Sequence, residues 1–135
     1  MQASSRERND HSCVLRVQGR HHSLLLTGDI GVSQEQELTQ RGIGVHDVVM
    51  AAHHGSNNSS GAGFIQAVQA RHAVVQAGAW SRYGHPHPKV VRRWTDAGAT
   101  LWRTDLHGAV VMRSREGGLK LAGERQRKRR YWQVW

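Results

Sequence analysis

The sequence predicts an α/β fold, a mixed sheet with flanking helices, and three observations carry that expectation. Short apolar runs of strand length alternate with segments whose apolar residues recur at helical spacing. Gly, Pro, Asn and Ser punctuate the joins between them. The polar groups of interest follow apolar runs: Asp29 after one, His53 and His54 after the next, His85 and His87 after a third. Loops at the carboxyl ends of strands are where open α/β sheets bind ligands.

Each element has its own signal. Residues 12–18 (SCVLRVQ) have strand composition, with Cys13 expected as a small buried hydrophobe beside Val14 and Leu15. Gly19-Arg20 reads as a hairpin turn that leaves His21 and His22 solvated, and residues 22–27 (HSLLLT) as a second strand. Residues 33–41 are a short helix in which Ser33 and Gln36 resemble a capping box and Gly42 is the stop. A third strand spans 47–52 (DVVMAA), and 53–61 (HHGSNNSSG) is loop chemistry. Residues 63–70 form a helix with Phe64, Ile65 and Val68 on one face, followed by a strand at 72–77. After a loop at 78–88, Pro88 suits a helix start, continued by Val90, Val91 and Trp94 and ended by Gly98. Residues 100–103, 108–113 and 119–122 read as further strands.

A chain of 135 residues makes one modest domain. We divide it into a disordered lead-in (1–10), a folded unit (11–122) and a basic, aromatic tail (123–135). No apolar run approaches the roughly 20 residues that span a bilayer, and the polar start has no signal-peptide core. The chain is therefore expected to be soluble as given, without an export signal of its own. A single cysteine excludes an internal disulfide and a cysteine-rich zinc module. The net charge of +9 favours an anionic partner such as nucleic acid. Arg125, Arg127, Lys128, Arg129 and Arg130 concentrate that charge, and Tyr131, Trp132 and Trp135 are available to stack on bases. A solvated tail is the simpler use of such a run.

Ten histidines, several of them paired, point to metal or phosphate chemistry. Gly28 lets the chain turn at a strand end so that Asp29 reaches outward. His53 and His54 are adjacent, so in an extended segment they face opposite ways and one of them is the better candidate ligand. Ser56, Asn57, Asn58 and Ser59 offer donors to an anion. Taken singly, each signal also fits a turn or a surface loop. The ordered set TGD…HHGS…YGHPHP is more specific.

That set closely resembles the carboxyl-terminal metallo-β-lactamase-like domain of the ComEC family of competence proteins. The matching residues are Asn9 to Ser12, Leu25 to Ile30 and Val48 to Ser56. They continue through Ala77-Gly78, Arg82 to Pro88, Gly98-Ala99, Arg103 to Asp105 and Gly108 to Val110. The resemblance implies an αββα sandwich with a divalent metal site, zinc or manganese, holding two ions in the intact domain. It implies metal ligation by Asp29 and by one of His53 and His54, with His85 and His87 as catalytic residues. Ser56, Asn57, Arg82 and Tyr83 would contact phosphate or substrate. The implied activity is a phosphodiesterase or nuclease acting on DNA during uptake in natural transformation. The implied partners are single-stranded DNA and a channel in the bacterial inner membrane.

The family's first metal motif, of the His-x-His-x-Asp-His type, has no counterpart before Asp29. The chain therefore reads as half of a metallo-β-lactamase αββα sandwich, the second half, with metal binding weak or absent on its own. An upstream half would be a required partner, and the uncovered sheet would promote self-association. Two other readings stay open: a non-catalytic remnant or DNA-binding module using the basic tail, and a hydrolase of this fold with another substrate.

Overall fold

A computed structural model describes residues 8–128. Its centre is a five-stranded sheet in the order β1-β2-β3-β4-β5, comprising Leu15–Gln18, Ser23–Leu26, Val48–Met50, His72–Val75 and Thr100–Arg103. β1 pairs antiparallel with β2 through the hairpin at Gly19, whose N–H donates to the His22 carbonyl at 2.9 Å. Strands β2 to β5 run parallel. The sheet is thus mixed, as the sequence predicts.

The parallel strands are joined by α1 (Val32–Gln40), α2 (Ala62–Val68) and α3 (Pro88–Asp96). Because successive strands are spatial neighbours and such crossovers are right-handed, all three helices pack on one face. There they bury Leu25, Val49, Ala51, Ala73 and Val75 of the sheet against Phe64, Ile65, Val68, Val90 and Trp94. On the strands' other face Leu24, Leu26 and Met50 are half-buried, while Val48 and Val74 are buried. The side chains alternate between the two faces as a pleated strand requires.

Four findings differ from the expectations. Cys13 is exposed, because it leads into an edge strand whose four residues are all exposed. Helix α1 is capped at Gly31 and not at Ser33. The Gly31 N–H donates to Gln34 Oε1 at 3.1 Å, and the Val32 N–H is held by the Asn58 carbonyl at 3.0 Å, which fixes the start earlier. Ala52, expected as the end of the third strand, and residues 53–55, expected as loop, form a 3₁₀ turn. Residues 110–123 do not extend the main sheet. β6 (Val110–Arg115) and β7 (Gly118–Gly123) make their own antiparallel hairpin, flanked by short helices α4 (Thr104–His107) and α5 (Glu124–Arg127). His22 Nδ1 meets Ser114 Oγ at 2.6 Å, so the histidine at the first hairpin turn touches β6.

Candidate metal and phosphate site

Three strand ends are stitched together at one edge of the sheet. At the end of β2, buried Thr27 donates Oγ1–H to the Met50 carbonyl at 2.6 Å, tying the strand to β3. Gly28 then turns at φ 59°, where a Cβ would lie 3.2 Å from the Cys13 carbonyl and from Ser12 Cβ. A side chain there meets both strain and backbone, so glycine is required for Asp29 to leave the strand outward.

After β3 the chain enters the left-handed region at three successive residues: His53 (φ 52°), His54 (φ 55°) and Gly55 (φ 75°). Non-glycine residues held there cost about 1–3 kcal/mol each, and such strain concentrates at functional sites. Surrounding bonds hold the turn. The His53 N–H donates to the Gly28 carbonyl at 2.9 Å, and the Ser56 N–H to the His53 carbonyl at 2.9 Å. Ser59 Oγ meets the Ala52 and Ser56 carbonyls, each at 2.8 Å. Gly55 packs on Pro86, where an added Cβ would come 2.7 Å from Pro86 Cβ. The Gly55 carbonyl in turn accepts the His87 N–H at 2.9 Å.

The two histidines are therefore not in an extended segment, and the expectation that they face opposite ways fails for that reason. Both rings approach His85, with centroids 6.1 Å (His53) and 6.5 Å (His54) away, the latter stacked at 15°. They differ in their bonds. His54 Nδ1 lies 3.0 Å from the Gln76 carbonyl, and since a carbonyl only accepts, Nδ1 carries the proton. In neutral His54 the Nε2 lone pair is then free, and it faces Asp29 Oδ1 at 3.7 Å. Two acceptors turned toward each other, too far apart for a direct hydrogen bond, are an arrangement that a cation completes. Two donors each ~2.1 Å from a tetrahedral zinc stand roughly 3.4 Å apart, so the pair fits a shared ion.

Among the described residues no group of three or more His, Cys, Asp or Glu side chains is gathered closely enough to hold a metal by itself. The chain supplies two convergent donors, with His53 and His85 beside them. Burial, the largest cause, and then His53, His54 and His87 hold the His85 imidazole below its ordinary pKa, which keeps the ring neutral near pH 7 and able to accept a proton.

The remaining predicted residues divide. Asn57 and Tyr83 line a cleft of about 640 Å³ together with Asp29, His53 and the start of α1. The amino end of a helix favours an anion there. Tyr83 is exposed and its ring lies 5.9 Å from that of His85. Arg82 is exposed on the same loop. Ser56 is buried, with Oγ accepting the Asn58 N–H at 3.3 Å. His87 is the N-cap of α3, its Nδ1 accepting the Lys89 N–H at 3.1 Å. In the basic segment, Arg125 Nη1 donates to the Asp105 carbonyl at 2.8 Å, Arg127 pairs with Glu124 at 3.0 Å and Lys128 is exposed. Arg129, Arg130, Tyr131, Trp132 and Trp135 lie outside the described residues.

Sequence reasoning did not single out Gln76, whose backbone orients His54, and no side-chain pattern could have signalled it. It also passed over Asn9 and Asp10 as cleft-lining residues, and over Glu35 and Arg93 beneath the loop. Arg8 and Asn9 are helical, and the Asn9 carbonyl accepts the Ser12 N–H at 2.9 Å.

Fold and site together define an α/β protein with an Asp–His cluster at the carboxyl edge of a parallel sheet. No family model matches the chain. It is similar to a segment of competence protein ComA of Neisseria gonorrhoeae, 39% identical over 127 residues, which is 93% of this chain and 18% of that protein. It is also similar to ComE operon protein 3 of Bacillus subtilis, 36% identical over 107 residues, covering 78% of this chain and 14% of that protein. Recombination protein 2 of Haemophilus influenzae is 33% identical over 106 residues, covering 78% of this chain and 13% of that protein. The chain thus spans less than a fifth of the length of each of these relatives. No helix among the described residues is long and apolar enough to cross a membrane.

Proposed function

We propose that this chain is the second half of a metallo-β-lactamase-like hydrolase domain of a ComEC-type DNA-uptake protein, a metal-dependent phosphodiesterase or nuclease. The observation that carries the reading is the pairing of Asp29 Oδ1 with the free Nε2 of His54 at 3.7 Å, fixed from behind by Gln76. Similarity to competence and recombination proteins supports the DNA substrate. Asp29 and His54 would hold a zinc or manganese ion, which would lower the pKa of a bound water and polarise the phosphate. His53 and His85 border that position, and neutral His85 is suited to take up a proton. Tyr83 and Asn57 border the cleft where a phosphodiester would lie, with the amino end of α1 favouring its charge.

Two donors make a weak metal site, so the remaining ligands come from sequence that the longer relatives carry outside the matched segment. The same upstream partner would cover Leu24, Leu26 and Met50. Without it, that face makes the isolated chain prone to self-association. The test is cleavage of single-stranded DNA with manganese or zinc, by the chain alone and mixed with the corresponding upstream half. Metal-dependent cleavage in the mixture, lost in Asp29→Ala, is expected. Absence of cleavage with every metal in both settings would contradict the reading.

A further inference from the structure

The loop that follows the two histidines is held by a buried carboxyl group and a guanidinium with no part in the reading above. Glu35, in α1, is 1% exposed, and its carboxylate accepts the N–H of Ser60 at 2.9 Å and of Gly61 at 3.4 Å. From α3, Arg93 Nη1 donates to the Ser59 carbonyl at 3.1 Å and the Ser60 carbonyl at 2.8 Å. Trp94 Nε1–H adds a bond to Ser60 Oγ at 3.0 Å. Ser60 itself sits at φ 57°, a conformation these bonds hold in place. Burying a carboxylate is costly, and an apolar side chain often stabilises such a position better. Covering the helix therefore does not account for Glu35.

The third bond of Arg93 leads out of this network. Its Nη2 donates to Asn57 Oδ1 at 2.6 Å, and Asn57 is exposed and borders the cleft with Asp29 and His53. A guanidinium only donates. The Asn57 oxygen is therefore engaged, and its Nδ2–H₂ is the side of the amide left to donate.

We propose that Glu35 and Arg93 are positioning residues that set the 56–61 loop so that the Asn57 amide is presented as a neutral donor to an anionic group bound beside Asp29. The anion rests on the phosphodiester reading, while the positioning rests on bonds within this chain. Inorganic phosphate, titrated into the ¹⁵N-labelled full chain, tests it through the Asn57 side-chain NH₂ signals. These signals shift saturably in the unaltered chain. Asn57→Ala, at an exposed position, weakens phosphate binding about fivefold with an unchanged melting temperature. Arg93→Lys keeps the charge but cannot span three acceptors, so it gives a similar loss, and the double variant is no weaker than either single one. Glu35→Gln keeps the volume and provides a second reading of the same loss if Arg93→Lys does not fold. Asn57 signals indifferent to phosphate, or unaltered affinity in the folded Arg93 or Glu35 variant, would overturn the proposal. Failure of metal-dependent cleavage would count against the hydrolase reading alone, because the phosphate titration needs no turnover.

Discussion

Two loops build the candidate site, and they are made in opposite ways. The β3–α2 loop (52–61) is pinned from below: Ser59 and Ser60 are fully buried, and Glu35, Arg93 and Trp94 bond its backbone and hydroxyls. The β4–α3 loop (76–87) instead carries Trp80 at 97% and Tyr83 at 77% exposure, and meets the first loop at its two ends, where the Gln76 carbonyl faces His54 and where Pro86 and the His87 N–H meet Gly55. Both deliver histidines to one place. Under the proposed function the difference would separate two tasks: holding strained donors at fixed positions needs over-determined backbone, whereas meeting a large anionic polymer needs exposed aromatic and basic groups.

The largest effect expected on this contrast comes from Gly55→Ala. Its new methyl meets Pro86 in a left-handed backbone, and the loss should reach about 3 kcal/mol or more, read as a large fall in urea midpoint. Next comes Glu35, whose carboxyl burial pushes up from 4.5 to about 7, against the lowering by the Gly61 and Ser60 N–H groups and Arg93. The native state then binds a proton that the unfolded state releases. The Glu35 contribution is most favourable below pH 4.5 and declines as pH rises to about 7, by roughly 3 kcal/mol. Unfolding the chain and its Glu35→Gln variant at pH 5 and pH 8 should show that their difference shrinks or reverses toward the alkaline side. The smallest effect belongs to the open loop: Trp80→Ala should change stability by less than about 0.5 kcal/mol, since the ring covers almost nothing. A loss of several kcal/mol there would erase the distinction between the loops.

Much of this was legible in the sequence, because apolar runs and glycines act locally. The order of strands and helices and the convergence of Asp29, His53, His54 and His85 at strand ends follow from period and punctuation. What was not legible depends on contacts between segments distant in sequence. The start of α1 at Val32 is set by Asn58, twenty-six residues further on. The left-handed turn at His53-His54 is held by Gly28 and Gln76. Glu35 lies in a helix with few apolar residues, so nothing in the pattern marks it as buried. The placement of residues 110–123 in a separate hairpin is likewise a matter of partners that composition does not encode.

The central claim is that Asp29 and His54 face each other in order to share a cation. Titrating manganese into the full chain, with binding followed by electron paramagnetic resonance, tests it most directly. Weak binding of an ion that is lost in both Asp29→Asn and His54→Gln, with the fold intact, is the predicted result. Manganese binding that is unaltered in either variant, or missing from the unaltered chain even when the upstream half is supplied, would contradict it.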